Sequence, residues 1–248
     1  MCGRFALTAK AKEVEIFLGL AELDDFPPRF NIAPTQPILM AVSTPRPEGS
    51  NLPRRRAALV RWGFIPGWAK NPRDMPLLIN ARSESAAEKA TFRAAMRHRR
   101  TLVPASGFYE WRREGKGRAQ PFWVRPRKGE LVAFAGLMET WSEPGGSEID
   151  TGAILTTEAN SDLAPIHQRM PVVIPPEHFS RWLDGVKYEP RDMADLLAPV
   201  EPGFFEAVPV SDKVNSVANV GPDLQERVEI DFEGPRSEGK LDTQLSLF

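Results

Sequence analysis

Residues 101–111 read TLVPASGFYEW, and this stretch predicts two strands that meet at a tight turn. Apolar and β-branched residues fill 101–105 and aromatic residues fill 107–111, whereas the Ser-Gly pair between them is typical of a turn. Further strand-like runs lie at 36–43, 57–65, 121–125, 131–138, 152–157, 171–174 and 206–210. Because these runs do not alternate regularly with helices, they indicate an α+β fold around a largely antiparallel sheet or an irregular barrel.

Four helices are predicted between these runs. The first follows Thr8, a plausible cap, and places Val14, Phe17 and Leu18 on one face. The second opens near Ser85, where a Ser-x-x-Glu capping box stands, and runs to about residue 98. Shorter helices are expected at 176–184 and 190–197.

The charge is balanced overall and unbalanced along the chain. The 248 residues, 42% of them hydrophobic, can build one large domain or two small ones with a core. Residues 1–128 carry 24 Lys and Arg against 11 Asp and Glu, whereas residues 129–248 carry 8 against 22. This gradient predicts a positive face for a polyanionic partner, unless the two halves interleave and neutralise each other.

Several classes of protein are excluded by composition. One cysteine excludes an intramolecular disulfide, and no run approaches the roughly 18 apolar residues of a membrane span. We therefore expect a soluble, cytoplasmic protein with no membrane partner. With three histidines and one cysteine, no ligand-spaced cluster exists, so neither a metal nor a cofactor is expected.

The single cysteine stands at position 2, in MCGRF. Removal of Met1 would give Cys2 a free α-amine, which titrates near about 7.7–8, together with its thiol. An amine attacks an aldehyde to form a Schiff base, and the β-thiol can then close a thiazolidine ring. Arg4 adds a cation suited to a phosphate. The alternative is a chance cysteine at a chain terminus.

Three further segments carry candidate polar residues. In LLINARSES (77–85), Asn80 and Arg82 stand between a strand and a helix. In GFYEW (107–111), Glu110 lies among aromatic residues, where partial desolvation suits a general acid. In APIHQRMPVVI (164–174), His167 is a candidate proton shuttle, and Arg169 points the same way if the stretch is extended. The alternatives are an ordinary turn, a solvent-facing carboxylate and a structural histidine.

RWGFIPGWAK (61–70) interleaves aromatic and cationic residues, a pattern that suits base stacking in single-strand binding. We assign Trp62 and Phe64 to the core. Trp68, in a Gly-flanked turn, is the exposed candidate.

Together, seven segments occur in a specific order: MCGRF, RFNIAPTQ (29–36), WGFIPGW (62–68), INAR (79–82), GFYEW, HQRMP (167–171) and VNSVANVGPDL (214–224). This order closely resembles the SOS-response-associated peptidase (SRAP) family, sensors of abasic sites in DNA. The resemblance implies one compact α+β domain over 2–228, built around a twisted, barrel-like, mostly antiparallel mixed sheet with flanking helices. Residues 229–248 are then expected to form a flexible tail.

The resemblance also implies a function in the DNA damage response. The protein would act as a nucleoid-associated monomer that crosslinks to abasic sites in single-stranded DNA through a thiazolidine at Cys2. Asn80 would position the reacting terminus, Glu110 would be the acid/base carboxylate, and His167 would shuttle protons and promote reversal. Flanking phosphates would contact Arg4, Arg82 and Arg169, and a splayed base would stack on Trp68. Autoprocessing of Met1 would be part of the same chemistry.

The last five residues read QLSLF, which resembles the short peptides that dock into the bacterial replication sliding clamp. Leu245, Leu247 and Phe248 would enter an apolar pocket while Gln244 is held by hydrogen bonds.

Two other functions remain open from the sequence. An N-terminal-nucleophile cysteine peptidase or hydrolase acting in trans would share Cys2, with Asn80 in its oxyanion site. A non-catalytic single-strand-binding module would leave Cys2 incidental.

Overall fold

The computed structural model describes residues 2–44, 54–113, 119–143 and 145–229. Residues 230–248 of the predicted tail, including the QLSLF residues 244–248, lie outside these ranges. Within them the chain forms twelve strands: β1 (Phe5–Leu7), β2 (Arg29–Ile32), β3 (Pro37–Ser43), β4 (Arg55–Trp62), β5 (Asn80–Arg82), β6 (Arg100–Ala105), β7 (Gly107–Arg112), β8 (Gln120–Pro126), β9 (Val132–Ser142), β10 (Glu148–Glu158), β11 (Arg169–Pro171) and β12 (Phe205–Pro209).

The strands form two sheets. One has five antiparallel strands in the order β12-β8-β7-β1-β2. In the other, β10, β4, β3, β6 and β9 form a closed ring, because β9 also pairs with β10. β5 and β11 extend this sheet along β10, and the pairings of β10 with β4 and β5 are the parallel ones among the described strands. The prediction of an α+β fold around a barrel-like, mostly antiparallel mixed sheet is confirmed.

Aromatic contacts join the two sheets into one core. Phe5 of β1 meets Trp62 of β4 edge to face at 5.2 Å, and Phe108 of β7 meets Phe134 of β9 at 5.9 Å. All four side chains are buried. Burial of large aromatic side chains dominates core energetics, so these contacts fix how β1 and β7 sit on the barrel.

The first predicted helix is α1 (Ala11–Leu18), and the prediction that Thr8 caps it is wrong. The N-cap is Lys10, whose backbone N–H donates to the carboxylate of Glu13. Thr8 instead bonds the hydroxyl of Ser106, at the turn between β6 and β7. The helix ends at Gly19, whose φ of 62° is the left-handed conformation that glycine tolerates best.

The predicted single helix from Ser85 to about residue 98 is also wrong. The chain forms α2 (Ser83–Ala86) and α3 (Arg93–His98), with turns between them. Phe92 at the break packs on Phe64 at 5.1 Å, so tertiary packing overrides local helix preference there.

The two later helices lie where they are predicted, with different internal geometry. A 3-10 turn (Pro176–His178) leads into α4 (Phe179–Leu183), and Pro190–Leu197 is a 3-10 helix. Three further 3-10 turns complete the described helical structure: Pro72–Asp74, Asp212–Asn215 and Pro222–Gln225. None of the helices in the described ranges is long and apolar enough to cross a membrane.

Candidate functional site

Strand β1 brings the chain start beside Glu110. β1 pairs with β7 through Phe5 opposite Phe108, and the backbone N–H of Tyr109 donates to the carbonyl of Arg4 at 2.9 Å. Continuation of this antiparallel register brings Cys2 and Gly3 alongside Glu110. Pairing of β1 with β7 therefore determines which residues surround Cys2 and Gly3.

The Cys2 thiol is completely buried. Its Sγ lies 4.0 Å from the carbonyl oxygen of Arg4. Burial raises the pKa of the thiol well above its ordinary value, and the negative charge of Glu110 raises it further. Cys2 is therefore a protonated thiol at neutral pH.

His167 faces the carboxylate of Glu110. Its Nδ1 lies 3.8 Å from Glu110 Oε1, and the backbone N–H of Arg169 donates to the same Nδ1 at 3.0 Å. The carbonyl oxygen of Arg169 lies 3.2 Å from the same Nδ1, so Nδ1 accepts from the Arg169 N–H in one tautomer and donates to that carbonyl in the other. Protonation of His167 would set a cation against the buried carboxylate, so the pair suits transfer of a proton.

A short turn holds His167 in place. The backbone N–H of His167 donates to the carbonyl of Leu163 at 2.9 Å, and the backbone N–H of Leu163 donates to the side chain of Asn160 at 3.2 Å. Asn160 is buried and donates in turn to the carbonyl of Val200 at 3.1 Å. The imidazole of His167 therefore projects from a turn that is stabilised by these hydrogen bonds.

Glu110 and His167 share a cavity of about 460 Å³. Its lining is Glu110, Trp111, Arg113, Ile166, His167 and Gln168. Cys2 lies outside this lining and has no exposed surface. The three predicted residues Cys2, Glu110 and His167 thus lie in one neighbourhood, with Glu110 and His167 facing the cavity.

Asn80 belongs to the other sheet. It opens β5 opposite Ile154 of β10, and its Nδ2 donates to the carbonyl of Ile154 at 3.4 Å. Its Oδ1 is buried and, among the described residues, has no hydrogen-bond donor. The side-chain nitrogen of Asn80 is therefore bonded to β10, whereas its side-chain oxygen, Oδ1, is free to accept a hydrogen bond from a group outside the described residues.

The predicted phosphate-binding arginines occupy different environments. Arg82 is exposed at the end of β5. Arg169, at the start of β11, forms a two-pronged ion pair with Glu84, at 2.7 and 2.9 Å. The hydrogen bond from Arg169 lowers the pKa of Glu84. Arg169 therefore pins β11 to α2, and contact with a phosphate would compete with Glu84.

Arg4 is half-buried and engaged in the fold. Its Nη1 donates to Asn31 Oδ1 at 2.8 Å and to the carbonyl of Val214 at 2.7 Å. Partial burial lowers the pKa of this guanidinium. Neither acceptor is a carboxylate, so the positive charge of Arg4 remains uncompensated at these two contacts.

The aromatic assignments in WGFIPGW are confirmed. Trp62 and Phe64 are buried, whereas Trp68 is 61% exposed in the turn closed by the hydrogen bond from Ala69 to Pro66. An exposed indole in a turn is available for stacking.

Two other observations complete the site. In the ranges that the structure describes, no three His, Cys, Asp or Glu side chains lie close enough to hold a metal ion.

Trp111, which lines the cavity, donates from its indole N–H to the side chain of Asn215 at 2.8 Å. Both residues lie in motifs that carry the family resemblance, Trp111 in GFYEW and Asn215 in VNSVANVGPDL. The sequence analysis gave the second motif no role and so did not predict this contact.

The profile of the family described as SOS response associated peptidase (SRAP) matches residues 1–217. The chain belongs to the SRAP family. This SRAP protein is 36% identical over 229 residues to the abasic site processing protein YoqW of Bacillus subtilis, covering 91% of this chain and 99% of that protein. It is 33% identical over 235 residues to the abasic site processing protein YedK of Escherichia coli, covering 90% and 98%.

The fold of the SRAP protein also matches a solved structure. A crystal structure of a protein from Bacteroides thetaiotaomicron superposes with a TM-score of 0.76, covering 92% of this chain and all of that one. At 24% identity, this likeness concerns the fold alone.

Proposed function

We propose that this SRAP protein binds single-stranded DNA at an abasic site and captures the ring-opened aldehyde covalently through Cys2. The observation that carries the proposal is the group of Cys2, Glu110 and His167, in which a buried N-terminal cysteine lies beside a carboxylate that a histidine faces at 3.8 Å. Two relatives named abasic site processing proteins support the choice of substrate.

The chemistry balances with loss of one water. After removal of Met1, the α-amine of Cys2 attacks the aldehyde carbon and forms a carbinolamine. Loss of water, with a proton supplied to the leaving oxygen, gives an imine. The sulfur of Cys2 then adds to the imine carbon while the thiol proton passes to the imine nitrogen. The product is a thiazolidine with new C–N and C–S bonds.

The order of these steps follows from the thiol. Because burial and Glu110 hold the pKa of the Cys2 thiol high, little thiolate is present to attack first. The amine is then the first nucleophile, and the thiol needs a base for the second step. Glu110 is proposed to take the proton released by the attacking amine and donate it for water loss, and then to accept the thiol proton and pass it to the imine nitrogen.

The other roles are proposals of the same kind. His167 exchanges protons with Glu110 and promotes reversal, and the open acceptor of Asn80 orients the Cys2 amine. Arg4, Arg82 and Arg169 bind flanking phosphates, and Trp68 stacks on a splayed base. Residues 2–228 form the reacting domain, and the protein acts as a nucleoid-associated monomer whose site also assists removal of Met1.

The first test is a denaturing crosslink assay. Purified protein is mixed with a single-stranded oligonucleotide carrying one abasic site, then heated in detergent and analysed by gel and intact mass. We expect an adduct with the mass of the protein without Met1 plus DNA minus one water. Cys2→Ala should abolish it, and Glu110→Gln should slow its formation by about 100-fold or more.

An oligonucleotide with an intact base at the same position is the matched substrate control. A mass that retains Met1, together with no heat-stable adduct in the wild type, would refute covalent capture by Cys2.

We also propose that residues 244–248 dock into the replication sliding clamp, which would raise the local concentration of the protein at forks. A peptide spanning residues 238–248 should bind purified clamp, and Leu247→Ala with Phe248→Ala should remove binding. Equal binding by the substituted peptide would contradict this role.

A further inference from the structure

Asn31 of β2 is a buried amide whose hydrogen bonds join three parts of the chain. It is 5% exposed. Its Oδ1 accepts from Arg4 Nη1 at 2.8 Å. Its Nδ2 donates to the carbonyls of Ser216 at 3.0 Å and Asn219 at 2.8 Å. A single side chain thus joins β2, the segment ahead of β1 and residues 214–219.

The segment 214–224, VNSVANVGPDL, is held against the same place by other contacts. The carbonyl of Val214 accepts from Arg4 at 2.7 Å, and the side chain of Asn215 accepts from Trp111 at 2.8 Å. Val214 and Leu224 are buried in a small cluster with Tyr109. The segment therefore bridges Arg4 and the wall of the Glu110 cavity.

Arg4 is consequently held from two sides. Its carbonyl accepts from the backbone of Tyr109 at 2.9 Å, whereas its guanidinium is fixed by Asn31 and Val214. Cys2 stands two residues earlier, so the clamp on Arg4 limits where the amine and thiol can lie relative to Glu110. Misplacement of a reacting group by about 1 Å can cost about 100-fold in rate.

We propose that Asn31 is a positioning residue for the reaction of Cys2, acting through Arg4. This inference rests on the proposed function, since it concerns the same covalent capture. Asn31 touches neither Cys2 nor Glu110 in the described contacts of the chain. It sets the approach of the N-terminal nucleophile by fixing the guanidinium of Arg4 and, with it, the backbone that leads to Cys2.

The test compares two substitutions of Asn31 with a matched control. Asn31→Leu removes every hydrogen bond of the side chain at similar volume, whereas Asn31→Asp keeps an acceptor for Arg4. Gln36→Leu is the control, because Gln36 also bonds an arginine and a backbone N–H in the same segment, at 2.9 and 3.1 Å, but does not contact Arg4.

The main readout is the single-turnover crosslinking rate at saturating abasic DNA, measured at a temperature where each variant is folded. We expect Asn31→Leu to reduce this rate about 10- to 100-fold and Gln36→Leu to leave it within about twofold. Asn31→Asp should give an intermediate rate, because it keeps the acceptor for Arg4 but sets a carboxylate oxygen against the carbonyls of Ser216 and Asn219. In an Arg4→Ala background, Asn31→Leu should cause no further loss, because both act through one contact. Independent, multiplying effects of the two substitutions would overturn the proposal, as would equal slowing by Gln36→Leu.

A second readout does not depend on crosslinking. In the DNA-free protein, the guanidinium N–H signals of Arg4 should be protected and resolved by NMR in the wild type and in Gln36→Leu, and lost in Asn31→Leu. Retention of these signals in Asn31→Leu would refute the inference. Protected signals in a wild-type protein that forms no adduct would instead count against the covalent function alone, so the two failures are distinguishable.

Discussion

Once Met1 is removed, as we propose, the amine and the thiol of Cys2 would differ in their protonation at neutral pH. A free α-amine titrates near about 7.7–8, so part of it is unprotonated. The thiol is fully buried, and both burial and the charge of Glu110 favour its neutral form. In the proposed reaction, this residue would therefore offer an available nitrogen nucleophile and a sulfur that must lose its proton.

The first residue-scale prediction concerns this thiol. Glu110→Gln removes a negative charge that disfavours the thiolate, so it should lower the pKa of Cys2, whereas burial should keep that pKa above the ordinary value of about 8.5. The thiolate is measured by its ultraviolet absorbance across a pH titration, with the signal of Cys2→Ser subtracted to remove tyrosine ionisation. Glu130→Gln, at an exposed carboxylate, is the control and should leave the titration unchanged.

A Cys2 pKa that is unchanged or raised in Glu110→Gln would contradict the placement of the carboxylate beside the thiol.

Single residues were predictable where their chemistry is local. Cys2 was a candidate because of its position directly after Met1. The aromatic residues around Glu110 predicted that its carboxylate is at least partly buried, and it is buried. Asn31 was not predictable as a candidate, because its partners Ser216 and Asn219 lie about 185 residues away in sequence. No local pattern reports contacts of that range.

At the scale of elements, the ion pair of Arg169 with Glu84 joins β11, next to His167, to α2. The hydrogen bond from Arg169 lowers the pKa of Glu84 in the folded state. A lowered carboxylate pKa stabilises the fold at pH values above the unfolded pKa of about 4.3, and this stabilisation is lost as pH falls through the folded pKa. The contribution is small, because the Glu84 side chain is 49% exposed.

Glu84→Gln should therefore reduce the free energy of unfolding at pH 7 by about 1 kcal/mol at most. The difference from the wild type should shrink as the pH is lowered below about 4. Urea denaturation at pH 7 and at about pH 3 measures both values, with Glu130→Gln as the exposed control. A gap that widens in acid would mean that the sign of the coupling is opposite.

Elements were predicted well where they are long and apolar. The runs at 101–105, 107–111 and 121–125 coincide with β6, β7 and β8. Strands β1 and β2 were missed, because three or four residues are too few to show a two-residue period. Yet β1 is the strand that places Cys2, so the element most important for the site carries the weakest local signal.

The whole molecule depends on pairings that no single segment encodes. The ring of β10, β4, β3, β6 and β9 closes because β9 and β10 form a long hairpin while β10 also runs parallel to β4. The sequence predicted a barrel-like sheet but not which strands close it. Strand pairing in both sheets also mixes the two charged halves of the chain, since β10 and β12 come from the acidic half and pair with β4 and β8 of the basic half.

Because strands of the two halves pair, the charge gradient along the chain is not a map of charge on the surface of the molecule. Affinity for DNA should then depend on a few local cations, and Arg82 is an exposed candidate at the end of β5. Each phosphate contact to a single strand contributes about 0.7 to the slope of log affinity against log salt. Arg82→Ala should therefore weaken binding and reduce the magnitude of that slope by about 0.7.

Binding of undamaged single-stranded DNA, followed by fluorescence anisotropy at several salt concentrations, isolates this electrostatic contribution from covalent capture. Arg191→Ala is the matched control. The Arg191 side chain is 81% exposed on the 3-10 helix Pro190–Leu197, and its substitution removes the same charge from the molecule. If affinity reflected total charge, both variants would change the slope equally. A change confined to Arg82→Ala would instead mean that a local contact at the end of β5, beside Asn80, carries the electrostatic recognition of DNA.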